Sequence, residues 1–173
     1  SDYVYTREKI ALYPGRKLSK KRNLMKQYRT LYSYEDRPYS CVYATDALKA
    51  LDRWFEMGGL PLEDTDYVAC AEAINHCEEF GLSGQVYYAG ETPESMEPSG
   101  FLLGEELNDH TFVIHFAKGV TSYKGIYVHM YNSLANQLPE KYTCLNFEQD
   151  LGKESLRQAK STYITDFWQH KYR

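Results

Sequence analysis

Between Phe80 and Gln85 the chain changes its hydrophobic period, and that change limits the folds open to it. Before it, apolar residues recur every three or four positions; after it come short runs rich in strand formers, Gln85 to Ala89, Gly100 to Leu107 and Thr111 to Ala117. The first spacing places side chains on one helix face and the second on one sheet face, so helices precede an antiparallel meander. Asn108-Asp109-His110 supplies a tight turn between the last two runs. Gly90 to Ser99, with Pro93 and Pro98, reads as a longer, exposed and mobile loop.

Within the helical part, Thr6 to Leu12 is expected to be a short helix ended by Pro14-Gly15. From Lys17 to Leu31 a stripe of Leu18, Leu24, Met25, Tyr28 and Leu31 predicts a helix whose lysines lie elsewhere on its circumference. Tyr32 to Ser40, interrupted by Pro38, suits an edge strand. Thr45 is expected to cap a helix that turns Leu48, Leu51, Trp54 and Phe55 inward and stops at Gly58-Gly59. Asp64 or Thr65 caps another, with Val68, Ala71, Ile74, Cys77 and Phe80 facing the core before Gly81. After the meander the pattern predicts a helix over Ile126 to Leu138 closed by Pro139, a buried strand over Tyr142 to Asn146, a helix over Lys153 to Lys160 and a last strand over Tyr163 to Tyr172.

The chain has 173 residues, 43% hydrophobic and 15% aromatic, enough for one domain with a real core and too apolar for disorder. No apolar run approaches the roughly 20 residues that span a bilayer, so a cytoplasmic protein without a transmembrane segment is expected. It begins at Ser1 rather than Met, which points to processing, a cloning scar or a fragment of something longer. Cys41, Cys70, Cys77 and Cys144 match neither a zinc knuckle nor a CxxC pair, and the five histidines form no HExxH pattern, so no metal is expected. The net charge of -4 conceals segregation. Arg16, Lys17, Lys20, Lys21, Arg22, Lys26 and Arg29 share one early segment without an acid, whereas no Lys or Arg occurs between Arg53 and Lys118. One face should be basic and another acidic.

Several polar residues fall where ligands bind. The turn from Val120 to Gly125 leads into a helix whose N-terminus offers free N–H donors to an anion, and Lys118 and Lys124 stand beside it. The ordinary alternative is that Gly125 merely admits the turn while the lysines are solvated. Asn146, Glu148 and Asp150 follow a buried strand with alternating orientation, so their side chains would converge at the sheet's C-terminal end, where a carboxylate pair can hold an ammonium or accept a proton. Alternatively Asp150 caps the next helix and Arg157 pairs with it. Glu105 and His115, on neighbouring strands, are candidates for the floor of an acceptor cleft, against the plainer reading of His115 as a satisfied core histidine.

Seven ordered segments carry a resemblance over nearly the whole chain: DYVY at Asp2 to Tyr5, KKRN at Lys20 to Asn23, GEELN at Gly104 to Asn108, IHFAKG at Ile114 to Gly119, YKGIY at Tyr123 to Tyr127, NFEQDLG at Asn146 to Gly152 and LRQAKSTY at Leu156 to Tyr163. With them the chain resembles the C-terminal domain of the phosphatidylglycerol lysyltransferase-related family, within the GCN5-related N-acetyltransferase (GNAT) superfamily. The resemblance implies an α/β (α+β) GNAT-like acyltransferase fold, a mixed, mostly antiparallel sheet flanked by helices. It also implies that residues 1–173 form the second of two tandem lobes, with an N-terminal GNAT-like lobe as partner.

The same resemblance implies an aminoacyl-tRNA or acyl-CoA as donor and a small-molecule, lipid or peptide acceptor, with no other cofactor. It matches Asp150, Arg157 and Lys160 to site positions and leaves Phe147 where the family often has arginine. It implies that the helix bearing Lys20, Lys21, Arg22 and Lys26 lies along RNA or a phosphate-rich donor, although solvated lysines alone would look the same. Acetyl-CoA users of this fold cluster glycines in the phosphate turn, whereas VTSYKG has only Gly125.

Two functions therefore remain open. One is an acyl- or aminoacyltransferase in which Asp150 or Glu148 orients or deprotonates the acceptor while Arg157 and Lys160 stabilise an oxyanion or the donor phosphate. The other is a degenerate lobe that binds RNA or a protein without catalysis.

Overall fold

The computed structural model describes residues 2–148 and 167–169. Seven strands form one sheet in the order β2-β3-β4-β5-β6-β1-β7. The strands are β1 (Asp2–Thr6), β2 (Ser33–Pro38), β3 (Ser83–Gly90), β4 (Glu97–Asn108), β5 (Thr111–Gly119), β6 (Cys144–Asn146) and β7 (Phe167–Gln169). Every neighbouring pair is antiparallel except β5 and β6. The mixed, mostly antiparallel sheet flanked by helices is the architecture the sequence leads one to expect, and β3-β4-β5 is its meander.

Helices cover both faces. On one side α1 (Arg7–Leu12), α2 (Ser19–Leu31) and α6 (Ile126–Gln137) enclose a core of Tyr3, Tyr5, Ile10, Tyr13, Tyr28, Leu102, Ile114, Met130 and Leu134. On the other, α3 (Ala44–Gly58), α4 (Tyr67–Asn75) and α5 (Cys77–Phe80) pack Ala47, Leu51, Cys70, Ile74 and Cys77 against Val86, Phe101 and Leu103. Adjacent β4 residues thus serve opposite cores, Phe101 and Leu103 one and Leu102 the other, as the two-residue period of a strand requires.

Several local expectations are corrected. Thr45 lies inside α3, because a 3₁₀ turn at Cys41–Tyr43 runs straight into the helix and leaves Tyr43 in the cap position. Val68 and Phe80 are exposed rather than inward-facing. A constant spacing of three residues sweeps round a helix with 3.6 residues per turn, whereas the observed stripe Cys70, Ala73, Ile74 and Cys77 stays on one face. Leu31, the last residue of α2, is also exposed. The Gly90 to Ser99 loop is shorter than expected: Thr92 and Ser95 close a capping box, β4 begins at Glu97, and buried Ser99 donates to the Tyr87 carbonyl. The strand expected over Tyr142 to Asn146 reduces to Cys144–Asn146.

Strand β1 has no counterpart in the period analysis, since Asp2, Tyr3, Val4 and Tyr5 are all buried and show no alternation. Thr6 ends it and caps α1 by accepting from the Lys9 N–H. The helix expected over Lys153 to Lys160 lies outside the described residues.

Candidate functional site

Among the described residues the sheet has one parallel pair, and its pairing is short. Strands β5 and β6 are joined through α6 and pair only at Thr111, Phe112 and Val113 against Cys144, Leu145 and Asn146. Beyond that rung β5 continues to Gly119 while β6 has ended. A bulge lies at the same place. Leu103 pairs with Phe116 but Gly104 pairs with Ile114, so His115 has no partner on β4. The side-chain phase records the extra residue: Phe112 and Ile114 join one core, whereas Phe116 packs against the other and Ala117 returns to the first. Bulges are common next to functional sites, and this one leaves His115 without a partner on β4 and brings Phe116 onto the face that carries His115.

Gly104 makes the bulge possible. A Cβ there would stand 2.1 Å from the Val113 carbonyl oxygen and 2.7 Å from Phe112 Cε1.

His115 is held from two sides. Its Nδ1 meets the Glu148 carboxylate, and its Nε2 lies 3.0 Å from Glu105 Oε1. With a carboxylate against each ring nitrogen, the arrangement favours the protonated ring, in which both nitrogens donate. Contact with Glu148 raises the His115 pKa above the ordinary value, burial opposes the rise, and Glu105 adds to it. Glu148 itself has φ +62°, a left-handed conformation uncommon for a residue with a Cβ. Strain of this kind persists only where surrounding contacts impose it, and it gathers at functional sites.

These three side chains line a cavity of about 430 Å³ with Ala69, Glu72, Ala73, Phe80, Leu82 and Phe116. Its polar wall is acidic, from Glu72, Glu105 and Glu148, and its other wall is apolar. Such a space suits a cationic group on an aliphatic or aromatic stem. Among the described residues no group of three His, Cys, Asp or Glu side chains is arranged to hold a metal ion.

Other candidates from the sequence lie elsewhere. Asn146 is fully buried and donates to the Asp2 carboxylate, so it does not line the cavity. Lys118 forms an ion pair with Asp66 at 3.0 Å and lies 4.3 Å over the Trp54 ring. Lys124 is exposed at the start of α6. Gly125, with φ +88°, fits tightly against α2, where a Cβ would come 2.5 Å from the Leu24 carbonyl oxygen. That close approach gives the glycine a packing reason independent of phosphate.

On α2, Lys20 and Lys26 are exposed and Lys21 is half-buried. Arg22 is committed to backbone, donating to the carbonyls of Tyr13 and Gly15. Asp150, Arg157 and Lys160 lie outside the described residues. The acidic wall residue Glu72 was invisible in the sequence except as one of many acids on α4 and its neighbours.

The fold and site together define a mixed α/β domain with an acidic, histidine-floored cavity just past the last rung of its parallel strand pair. The chain belongs to the family described as phosphatidylglycerol lysyltransferase, C-terminal, which it matches over residues 1–173. It is similar to a conserved protein of unknown function from Bacteroides thetaiotaomicron, with a TM-score of 0.85 and 29% identity over 96% of this chain. It shares a fold with the C-terminal domain of a putative lysylphosphatidylglycerol synthetase from Agrobacterium fabrum, at TM-score 0.60 and 12% identity over 95% of this chain. The same holds for L-PGS from Bacillus licheniformis, at TM-score 0.55 and 12% identity over 95% of this chain. The chain spans 56%, 56% and 57% of those three proteins respectively. No curated protein sequence matches it. Among the described residues no helix is long and apolar enough to cross a membrane.

Proposed function

We propose that the chain is an aminoacyltransferase lobe that moves an aminoacyl group from aminoacyl-tRNA to a hydroxyl acceptor, with His115 as its proton carrier. The observation that carries this reading is His115 fixed between Glu148 and Glu105 just past the last rung of the β5–β6 pairing. The family's description supports a lysyl donor and a phosphatidylglycerol acceptor as the first pair to try. The acidic cavity fits a cationic aminoacyl group and disfavours an acidic one.

In this mechanism Glu148 accepts from Nδ1–H and fixes the tautomer, leaving Nε2 as the working atom, as a carboxylate does for histidine in other acyl transfers. Above the raised His115 pKa the Nε2 proton is lost to solvent, and when the acceptor hydroxyl displaces Glu105, neutral Nε2 takes the hydroxyl proton. The acceptor oxygen then forms a bond to the aminoacyl carbonyl carbon. The ester bond to the tRNA ribose breaks, and the proton on Nε2 passes to the departing ribose oxygen. Asp150, Arg157 and Lys160 are proposed to assist, by orienting the acceptor and stabilising the oxyanion or donor phosphate. Lys20, Lys21, Lys26 and Lys124 are the proposed contacts to the RNA backbone. In this reading the chain works beside a second lobe of the same GNAT-like fold.

The test is transfer of labelled lysine from lysyl-tRNA to phosphatidylglycerol vesicles. His115→Asn should slow transfer by about 10²- to 10⁴-fold, the usual contribution of a positioned acid–base group. Full activity of that variant would overturn the role of His115. Salt-sensitive tRNA binding without any transfer by the unmodified chain would favour the non-catalytic RNA-binding lobe instead.

A further inference from the structure

The aim of the Glu148 carboxylate is not set by its own strand. The antiparallel register of β1 and β6 pairs Val4 with Asn146 and reaches the Phe147 N–H, which donates to the Tyr3 carbonyl, but the Tyr3 N–H donates to the Glu148 carbonyl, so the register slips by one residue at Glu148. Continued without that slip, two residues beyond Val4–Asn146, the register would set Asp2 opposite Glu148. An extended Glu148 would therefore bring its carboxylate against that of Asp2, and like charges directly opposite on a sheet are destabilising.

The structure relieves this in a specific way. The Asn146 amide takes the space between them: its Nδ2 donates to Asp2 Oδ2 at 2.9 Å, and its Oδ1 accepts from the Glu148 N–H at 2.8 Å. Asp2 and Asn146 are 1% and 0% exposed, so neither contact is shared with bulk solvent. The second bond ties the Glu148 backbone into its left-handed turn, which swings the side chain away from β1 and across to β5.

We propose that Asp2 is a positioning residue for the site: through Asn146 it fixes the left-handed turn that delivers the Glu148 carboxylate to His115. The arrangement makes one unbroken chain of contacts, Asp2 to Asn146 to Glu148 to His115 to Glu105, with its anchor 144 positions upstream of the amide it holds. The inference deepens the proposed transfer reading, but its physical content, the placement of Glu148 on His115, stands without it.

The experiment follows the His115 ring by NMR titration in the full chain, with lysyl transfer measured alongside. Among the described residues, the titratable groups facing the ring are Glu148, Glu105 and, across the cavity, Glu72 on α4. Asp2→Ala removes the acceptor that orients the amide, and the His115 pKa should fall toward the ordinary value of 6.5. Asp2→Asn keeps an acceptor oxygen and should leave the titration near that of the unmodified protein. Asn146→Ala should reproduce Asp2→Ala, and the double variant should be no worse than Asn146→Ala alone. Transfer should drop about 10- to 100-fold in Asp2→Ala with KM unchanged, the size expected for a group that orients another.

An unmoved His115 titration in either alanine variant that folds overturns the proposal. So does failure of both to fold, since the pair would then hold the sheet rather than the carboxylate. A shifted titration in a protein that transfers nothing would sink the transferase reading and leave the positioning of Glu148 intact.

Discussion

His115 and Glu148 each lie two residues past the last rung of the parallel β5–β6 ladder, Val113 with Asn146, and meet through side chains where backbone pairing has stopped. A ladder continued to that point would have buried both groups against each other in regular sheet. Instead His115 has no partner on β4, Glu148 takes a left-handed turn, and the two side chains pair with Glu105 on the far side of the ring.

Glu148 contributes most to holding the His115 proton. Glu148→Gln should therefore lower the His115 pKa more than Glu105→Gln does, as read from the ring proton shifts against pH. The proposed transfer needs neutral Nε2, so its rate in the unmodified chain should climb as pH rises through the elevated pKa, and the midpoint should move to lower pH in Glu148→Gln.

The same contact links stability to pH. A histidine whose pKa is higher folded than unfolded stabilises fully below the unfolded value, and that stabilisation is lost as pH rises through the folded one. Urea midpoints measured from about pH 6 to about pH 9 should fall more steeply for the unmodified protein than for His115→Asn. Parallel curves would show that His115 gains nothing from its two carboxylates.

Gly104→Ala forces a Cβ into the Val113 carbonyl, with Phe112 behind it. The loss should reach about 3 kcal/mol or more, the upper end for an overfilled core, with the bulge and the His115 titration disturbed together. Denaturant unfolding and the ring shifts check both.

A second polar cluster under α6 is structural. The Arg29 Nε–H donates to His129 Nδ1, so His129 is neutral there and its Nε2–H donates to Asp36, which also accepts from Ser133. His129 is buried, and Asp36→Ala would leave its N–H and the Ser133 hydroxyl without that acceptor. A destabilisation of about 3 kcal/mol, measured by urea unfolding with cavity ligand binding unchanged, is expected.

The cysteines should separate by reactivity. Cys41 is exposed, whereas burial pushes the Cys70 thiol up to about 12 and the Cys77 thiol up to about 11. Thiol-reactive reagent at neutral pH should label Cys41 first and reach Cys70 only on unfolding, as peptide mass analysis would show.

The sequence by itself determined the element types wherever one face of an element is buried and the other wet. That is why the α2 helix, the β3-β4-β5 meander and the helix beginning at Ile126 could be read from period alone. It also marked Glu105, His115 and Glu148 as candidates, because polar groups at strand ends stand out against apolar runs. It missed β1, where both faces are buried and no period survives, and it misplaced the α4 stripe, where a strict spacing of three conceals the drift of a real helix. Tertiary structure alone decided which polar groups meet. His115 and Glu148 are in phase with the paired Val113 and Asn146, but it takes the β5–β6 pairing to bring together two strand ends 33 residues apart. Asp2 reaches Asn146 because antiparallel pairing joins the two ends of the described fold, and sequence distance carries no trace of that.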